Sequence, residues 1–144
     1  MLHVVENLER ARPLRQAHPR HFALGEDVRV GFDGILTREA RDTLLRRQRA
    51  TLIVAGNDLI AINAIHFLAE HHVKVPDDVS VTGFDDIGWA RIVSPRLTTI
   101  AQPLAAIGTR AVELLQERMA GANVPSRATV FDVTLVERES VKNI

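Results

Sequence analysis

The chain has 144 residues, 46% hydrophobic and 25% charged, enough for one ordinary globular domain with a core of its own. Its 18 basic and 18 acidic residues cancel, which argues against a free-standing nucleic-acid binder, since such a protein normally carries a basic excess to displace counterions from phosphates. The lack of cysteine rules out a disulfide framework and a thiolate metal site, and no apolar run reaches the ~18 residues of a membrane helix.

The opening MLHVVENLERARPLRQ is charged and lacks the apolar core of a signal peptide, so the cytoplasm is the expected location. Residues 4–17 could form a helix, although Pro13 interrupts the pattern, and Pro19 and Gly25 bound a loop. Residues 1–27 are therefore treated as a segment apart. VRVGF at 28–32 alternates weakly and reads as a short strand. Thr37 is placed to cap a helix that buries Ala40, Leu44 and Leu45 and turns its arginines outward.

TLIVAG at 51–56 is a continuous apolar run of strand length, the pattern of a parallel strand covered on both faces. Asp58 reads as the N-cap of LIAINAIHFLAEHH. In that helix Asn63, His66 and Glu70 make one narrow polar stripe, so one apolar side must cover a sheet and a second meets something else. VKVPDD is a return loop, and VSVTGF at 79–84 a second buried strand ending at Asp85. LTTIA at 97–101 reads as a third strand. Pro103 opens a helix to about Met119, stopped by Gly121, with Ile107, Ala111, Leu114 and Leu115 as its buried stripe. TVFDVTLV at 129–136 alternates as an edge strand does.

Strand–helix alternation predicts an α/β fold, a parallel sheet with helices on both faces. In open α/β sheets ligands bind at the carboxyl ends of strands, where Asn57 and Asp85 fall. A carboxylate accepts hydrogen bonds from two vicinal hydroxyls, and an amide donates and accepts at once, so the pair suits a hydroxyl-rich ligand. Asn57 could equally serve a turn or a cap. Asp86 reads as the cap of the short helical turn IGWARI. Phe32 and Trp89 are the aromatic candidates for stacking on a ligand, although core packing is the commoner use of either ring.

No metal constellation is evident. His66 and Glu70, four residues apart, read as part of a solvated stripe, and Arg41, Arg46, Arg47 and Arg49 as a solvated helix end. His71 and His72 end a helix, where positive charge suits the dipole. There is no G-x-S-x-G, no Walker loop and no other catalytic motif or cofactor-binding turn. Asp85 and Asp86 are adjacent and would point apart, so they do not flank one bond as an acid–base pair would.

Asn57-Asp58-Leu59, Val75-Pro76-Asp77-Asp78-Val79-Ser80, Gly83-Phe84-Asp85-Asp86, Pro95 with Leu97-Thr98-Thr99-Ile100, Gln102-Pro103 and Glu137-Arg138-Glu139-Ser140 follow one another in an order and spacing that resembles the C-terminal part of the lac repressor/gal repressor family of bacterial transcription regulators. The resemblance covers residues 51–140. It implies one lobe of a fold like that of periplasmic sugar-binding proteins, in which two α/β lobes joined by three crossovers hold an effector in the cleft between them. It further implies that Asn57 and Asp85 face that cleft, that Phe32 lies near a stacking position, and that Gln102 sits where the chain crosses between lobes. The helix from Asp58, with Leu59 and Ile62, and the segment with Ile92 and Val93 correspond to the family's dimer face.

The resemblance thus makes residues 28–144 a C-terminal lobe without the family's DNA-binding head or first lobe. The expected function is sensing of a small molecule, a sugar by preference, by a homodimer that reaches DNA only through a head outside this sequence. Neither enzymatic activity, nor a cofactor, nor a membrane is expected. The helix near 105–120 would then fold back on the lobe or be shared across a dimer. The alternatives are a periplasmic-type sugar-binding protein, and a phosphoacceptor or enzyme using Asp85.

Overall fold

The structure, a computed structural model, describes residues 2–6, 25–28, 35–46, 50–120 and 128–142. Its main sheet has the order β2-β1-β3-β4, from β1 (Leu2–Glu6), β2 (Gly25–Val28), β3 (Ala50–Ala55) and β4 (Ser80–Thr82). β3 and β4 are parallel, with Leu52 opposite Ser80 and Val54 opposite Thr82, and between them runs helix α2 (Asp58–Glu70). This is the predicted strand–helix–strand unit, the connection that parallel neighbours require.

One expectation for the N-terminal part is corrected. β1 occupies the start of the stretch read as a helix over 4–17, and it runs antiparallel to both β2 and β3. Among the described strands the sheet is thus mixed, β1 antiparallel to both its neighbours and β3 parallel to β4. LHVVE carries two β-branched valines, which lose less χ1 freedom in a strand than in a helix. Of the strand read at 28–32 only Val28 is described, as the last described residue of β2, and residues 29–32 lie outside the described ones.

Helix α1 (Arg38–Arg46) starts as its sequence demands: Thr37 Oγ1 accepts a bond from the Ala40 amide at 3.2 Å. Leu36, Ala40 and Leu44 join one core with Ile60, Ala61, Ala64, Ile65, Phe67 and Leu68 of α2, with Ile53, Ala55 and Val81 of the sheet, and with Val79 just before β4. Burying each large aliphatic side chain contributes about 1.5–3 kcal/mol. The polar stripe of α2 is solvated, with His66 Nε2 and Glu70 Oε1 3.4 Å apart on exposed side chains. Exposed Arg41 carries its Cζ 5.6 Å from the centre of the Phe67 ring. His71 ends α2, its Nδ1 2.8 Å from the Phe67 carbonyl oxygen.

The C-terminal part departs further from expectation. Thr98 bridges Thr82 in parallel, but strand β5 (Thr99–Ala101) then leaves the main sheet and pairs antiparallel with β6 (Thr134–Val136), Thr99 opposite Val136. Only the last three residues of the 129–136 stretch form strand. Helix α3 (Leu104–Met119) spans the predicted residues but buries none of them. Of its expected stripe, Ile107 and Leu114 are half-buried, and Ala111 and Leu115 exposed. Among the described residues no side chain of α3 is fully buried, so the expected fold-back onto this lobe is not seen. Gly121, the expected stop, lies outside the described residues.

Residues 138–140 sew this return segment to the lobe. Ser140, fully buried, donates through Oγ to the Val81 carbonyl at 2.6 Å and accepts there from the Thr98 amide at 2.9 Å. Its own carbonyl accepts from the Val81 amide at 2.8 Å. Glu139 and Arg96 form an exposed ion pair at 2.7 Å.

Candidate functional site at the ends of β3 and β4

Because β3 and β4 are parallel neighbours, the residues that follow each emerge at the same end of the sheet. Asn57 comes two residues after β3 and Asp85 three after β4. The two segments are bonded directly, the Asp58 amide donating to the Phe84 carbonyl at 2.8 Å.

Asn57 is buried and caps α2: its Oδ1 accepts from the Ile60 amide at 2.8 Å. The cap predicted at Asp58 therefore belongs to its neighbour. Asn57 is extended at φ −155°, the backbone an N-cap takes, whereas Asp58 is already the first residue of the helix. With no exposure, Asp58 turns inward instead. Its Oδ1 accepts from Thr99 Oγ1 at 2.5 Å and its Oδ2 from the Ile87 amide at 2.8 Å. Burial raises its carboxyl above the usual 3.8, against the lowering effect of the Thr99 and Ile87 bonds, and the Asp85 and Asp86 charges add to the rise.

Asp85 and Asp86 form the turn after β4, both with positive φ, 115° and 52°. L side chains are strained there, and such strain gathers at functional positions. Half-buried Asp85 accepts through Oδ1 from Gln102 Nε2 at 2.7 Å, and its amide donates to the Ile100 carbonyl at 2.8 Å. Asp86 points elsewhere, accepting from Arg138 Nη2 at 2.5 Å and Arg91 Nη2 at 3.1 Å. The Arg138 bond, helped by Arg91, holds its carboxyl below the usual 3.8 against partial desolvation. The capping role expected of Asp86 is thereby corrected: the short 3-10 turn Gly88–Arg91 is preceded by Ile87 and has no side-chain cap. Two arginines outbid the turn's amides for this carboxylate, since charged donors make the stronger bonds.

Trp89 lies on that turn and is 66% exposed, so it is not the core residue that base expectation favours. Phe32 lies outside the described residues. Of the residues read as a dimer face, Leu59 and Ile92 are exposed, whereas Ile62 and Val93 are half-buried against the core. The structure thus brings Asn57, Asp85 and Gln102 to one end of the sheet, with Trp89 on the turn that follows. The reading of residue types missed the anchoring roles of Asp58, Thr99, Arg138 and Ser140. The Leu97-Thr98-Thr99 and Glu137–Ser140 signatures contained three of them, but their partners stand about 40 residues or more away in the chain.

The chain matches the periplasmic binding protein-like domain over residues 6–141. It is 38% identical over 124 residues to the ribose operon repressor of Haemophilus influenzae, a match covering 86% of this chain and 35% of that protein. Among solved structures it resembles a LacI family transcriptional regulator from Arthrobacter sp. FB24 in complex with lactose, at 37% identity and a TM-score of 0.63, covering 73% of this chain and 41% of that one. It also resembles a LacI family transcriptional regulator from Enterococcus faecalis V583 with bound ribose, at 37% identity and a TM-score of 0.62, covering 67% and 36%. The chain spans about a third of the length of the curated relatives it matches. These relatives are transcription regulators by name, and among the described residues no helix is long and apolar enough to cross a membrane. From the matched domain and the regulators that share it, this chain belongs to the periplasmic binding protein-like family, in its lac repressor/gal repressor branch.

Proposed function

We propose that the chain is the C-terminal sensing lobe of a transcription regulator that works in the cytoplasm, not an enzyme, and that it contacts a sugar-like effector through Asn57 and Asp85. One observation carries this reading: an amide and a carboxylate follow neighbouring parallel strands at the same end of the sheet, in a chain similar to regulators solved with ribose and with lactose. Asp85 is the acceptor for sugar hydroxyls, and Asn57 has both donor and acceptor chemistry. Trp89, exposed on the turn that follows Asp86, supplies an apolar ring face for stacking; Phe32 is the second aromatic of this reading. Gln102, already bonded to Asp85, marks the crossover toward a second lobe.

In the whole regulator, effector binding favours one arrangement of the lobes and so changes the spacing of the DNA-binding heads. Operator binding is assigned to such a head and not to these 144 residues. Leu59, Ile62, Ile92 and Val93 are proposed as the face shared with a second copy; the exposure of Leu59 and Ile92 supports it.

Calorimetric titration of the chain with D-ribose, D-galactose and lactose tests the reading. Weak, saturable binding that disappears in Asp85→Ala is expected, since one lobe offers half a cleft. Micromolar affinity would contradict the half-cleft account, and binding unaffected by Asp85→Ala would remove Asp85 from the site. Specific operator retention in a gel shift by the chain alone would overturn the assignment of DNA contact.

A further inference from the structure

Asp58 is a fully buried carboxylate that the sensing reading leaves without a task. Burying an ionisable group is unfavourable unless its oxygens are bonded, and here both are. Its bonds reach every segment of the site. The Asp58 amide holds the Phe84 carbonyl and its Oδ2 holds the Ile87 amide, both at 2.8 Å, so a single residue grips the Asp85–Asp86 turn from both sides. Its Oδ1 holds Thr99 of β5, one residue before Ile100, whose carbonyl takes the Asp85 amide. Asn57 is its peptide neighbour. The fit around it is close: a Cβ added to Gly83 would lie 2.2 Å from Asp58 Oδ1.

We propose that Asp58 is the positioning residue of the site, fixing Asn57, the Asp85 turn and the crossover strand relative to one another through its two carboxylate oxygens. The inference rests on the sensing reading for its purpose, not for its geometry. Two consecutive residues at positive φ persist only where the surroundings over-determine them, and Asp58 is bonded on both sides of that pair. The residue type follows from the donors: an amide N–H and a hydroxyl converge on one side chain, and a carboxylate is acceptor at both oxygens. Asparagine keeps one acceptor and the size. Its NH2 can meet Thr99 because a hydroxyl rotates to accept, so Asp58→Asn is the conservative rescue and Asp58→Ala the loss.

The test uses the whole chain without ligand. Amide hydrogen exchange by NMR reports on Ile87 and Asp85, and the emission of Trp89, the one tryptophan, reports on the same turn. Asp58→Ala is expected to speed exchange at Ile87 by about tenfold, with amides of β3 unchanged and Trp89 emission shifted, while Asp58→Asn stays within about threefold of the parent. An unchanged Ile87 rate in folded Asp58→Ala overturns the proposal. So does equal acceleration across β3 and α2, the mark of a merely structural residue. If Asp58→Ala does not fold, Thr99→Val decides: faster Ile87 exchange with a Trp89 shift supports the proposal, and parent-like values at both overturn it. D-ribose added to the parent is a separate arm. Its failure to move any amide counts against the sugar reading, and the ligand-free rates still decide the role of Asp58.

Discussion

Arg138 donates through Nη2 to Oδ1 of Asp86 at 2.5 Å, joining residues 52 positions apart in the chain. The bond fastens the segment that returns after β6 to the turn that carries Asp85. Arg138 also donates from Nη1 to the Leu97 carbonyl at 2.7 Å, and its amide reaches Thr98 Oγ1 at 2.8 Å. One residue therefore binds the departing and the returning segments to the site.

The Arg138 and Asp86 side chains are only 10% and 13% exposed, so replacing Arg138 by Met leaves a largely buried carboxylate short of its main partner. The expected loss is about 2 kcal/mol in urea unfolding at neutral pH. Because the fold depresses the Asp86 carboxyl below 3.8, its contribution is present above that value and is lost as pH falls through the lower folded value. The stability gap between the parent and Asp86→Asn should accordingly be open at neutral pH and close well below pH 3.8. A gap independent of pH would show that the bond to Arg138 does not act through charge.

Asn57 holds two tasks that substitution can separate. Its Oδ1 caps α2, and Asn57→Ala should cost about 1 kcal/mol of stability. Asn57→Ser keeps a capping oxygen and should keep most of that stability, yet lose the reach toward a ligand. Thermal unfolding beside sugar titration checks this. Parent-like binding by Asn57→Ser would confine the residue to its cap.

Gly83 is required for closeness, not for flexibility. A Cβ there would meet Asp58 Oδ1 at 2.2 Å, Leu97 Cδ2 at 2.9 Å and the Asp58 Cα at 3.2 Å. Asp58 is pinned and cannot give way, so Gly83→Ala should destabilise the chain by about 1–3 kcal/mol and disturb Trp89 emission. A parent-like urea midpoint would mean that the turn tolerates the displacement.

On α3, Leu104, Val112, Leu115 and Met119 are each more than half exposed, as are Val130, Val133 and Leu135 nearby in the chain. Exposed apolar surface of this extent promotes association. Sedimentation velocity should show self-association that rises with concentration, and Val112→Lys with Leu115→Lys should reduce it. An unchanged distribution in the double variant would place the association elsewhere.

Local chemistry sufficed where a residue's neighbours in sequence decide its fate. The apolar runs of β3 and β4, the Thr37 cap, the span of α3 and the polar stripe of α2 follow from periodicity and side-chain oxygens within a few residues. Placing Asn57 and Asp85 at strand ends needed no coordinates either, since parallel strands joined by a helix must present those ends together.

Only the tertiary structure could assign the carboxylates. Asn57, Asp58, Asp85 and Asp86 stand in two Asx pairs of similar chemistry, and any of them could cap. The choice fell to partners far along the chain: Thr99 and Ile87 draw Asp58 inward, Gln102 takes Asp85, and Arg138 takes Asp86. The same holds for β1, which runs antiparallel where periodicity suggested a helix, and for α3, whose apolar stripe is legible in sequence but is at most half-buried in the structure. A hydrogen-bond acceptor or an apolar face specifies the kind of partner it needs, whereas folding brings the partner.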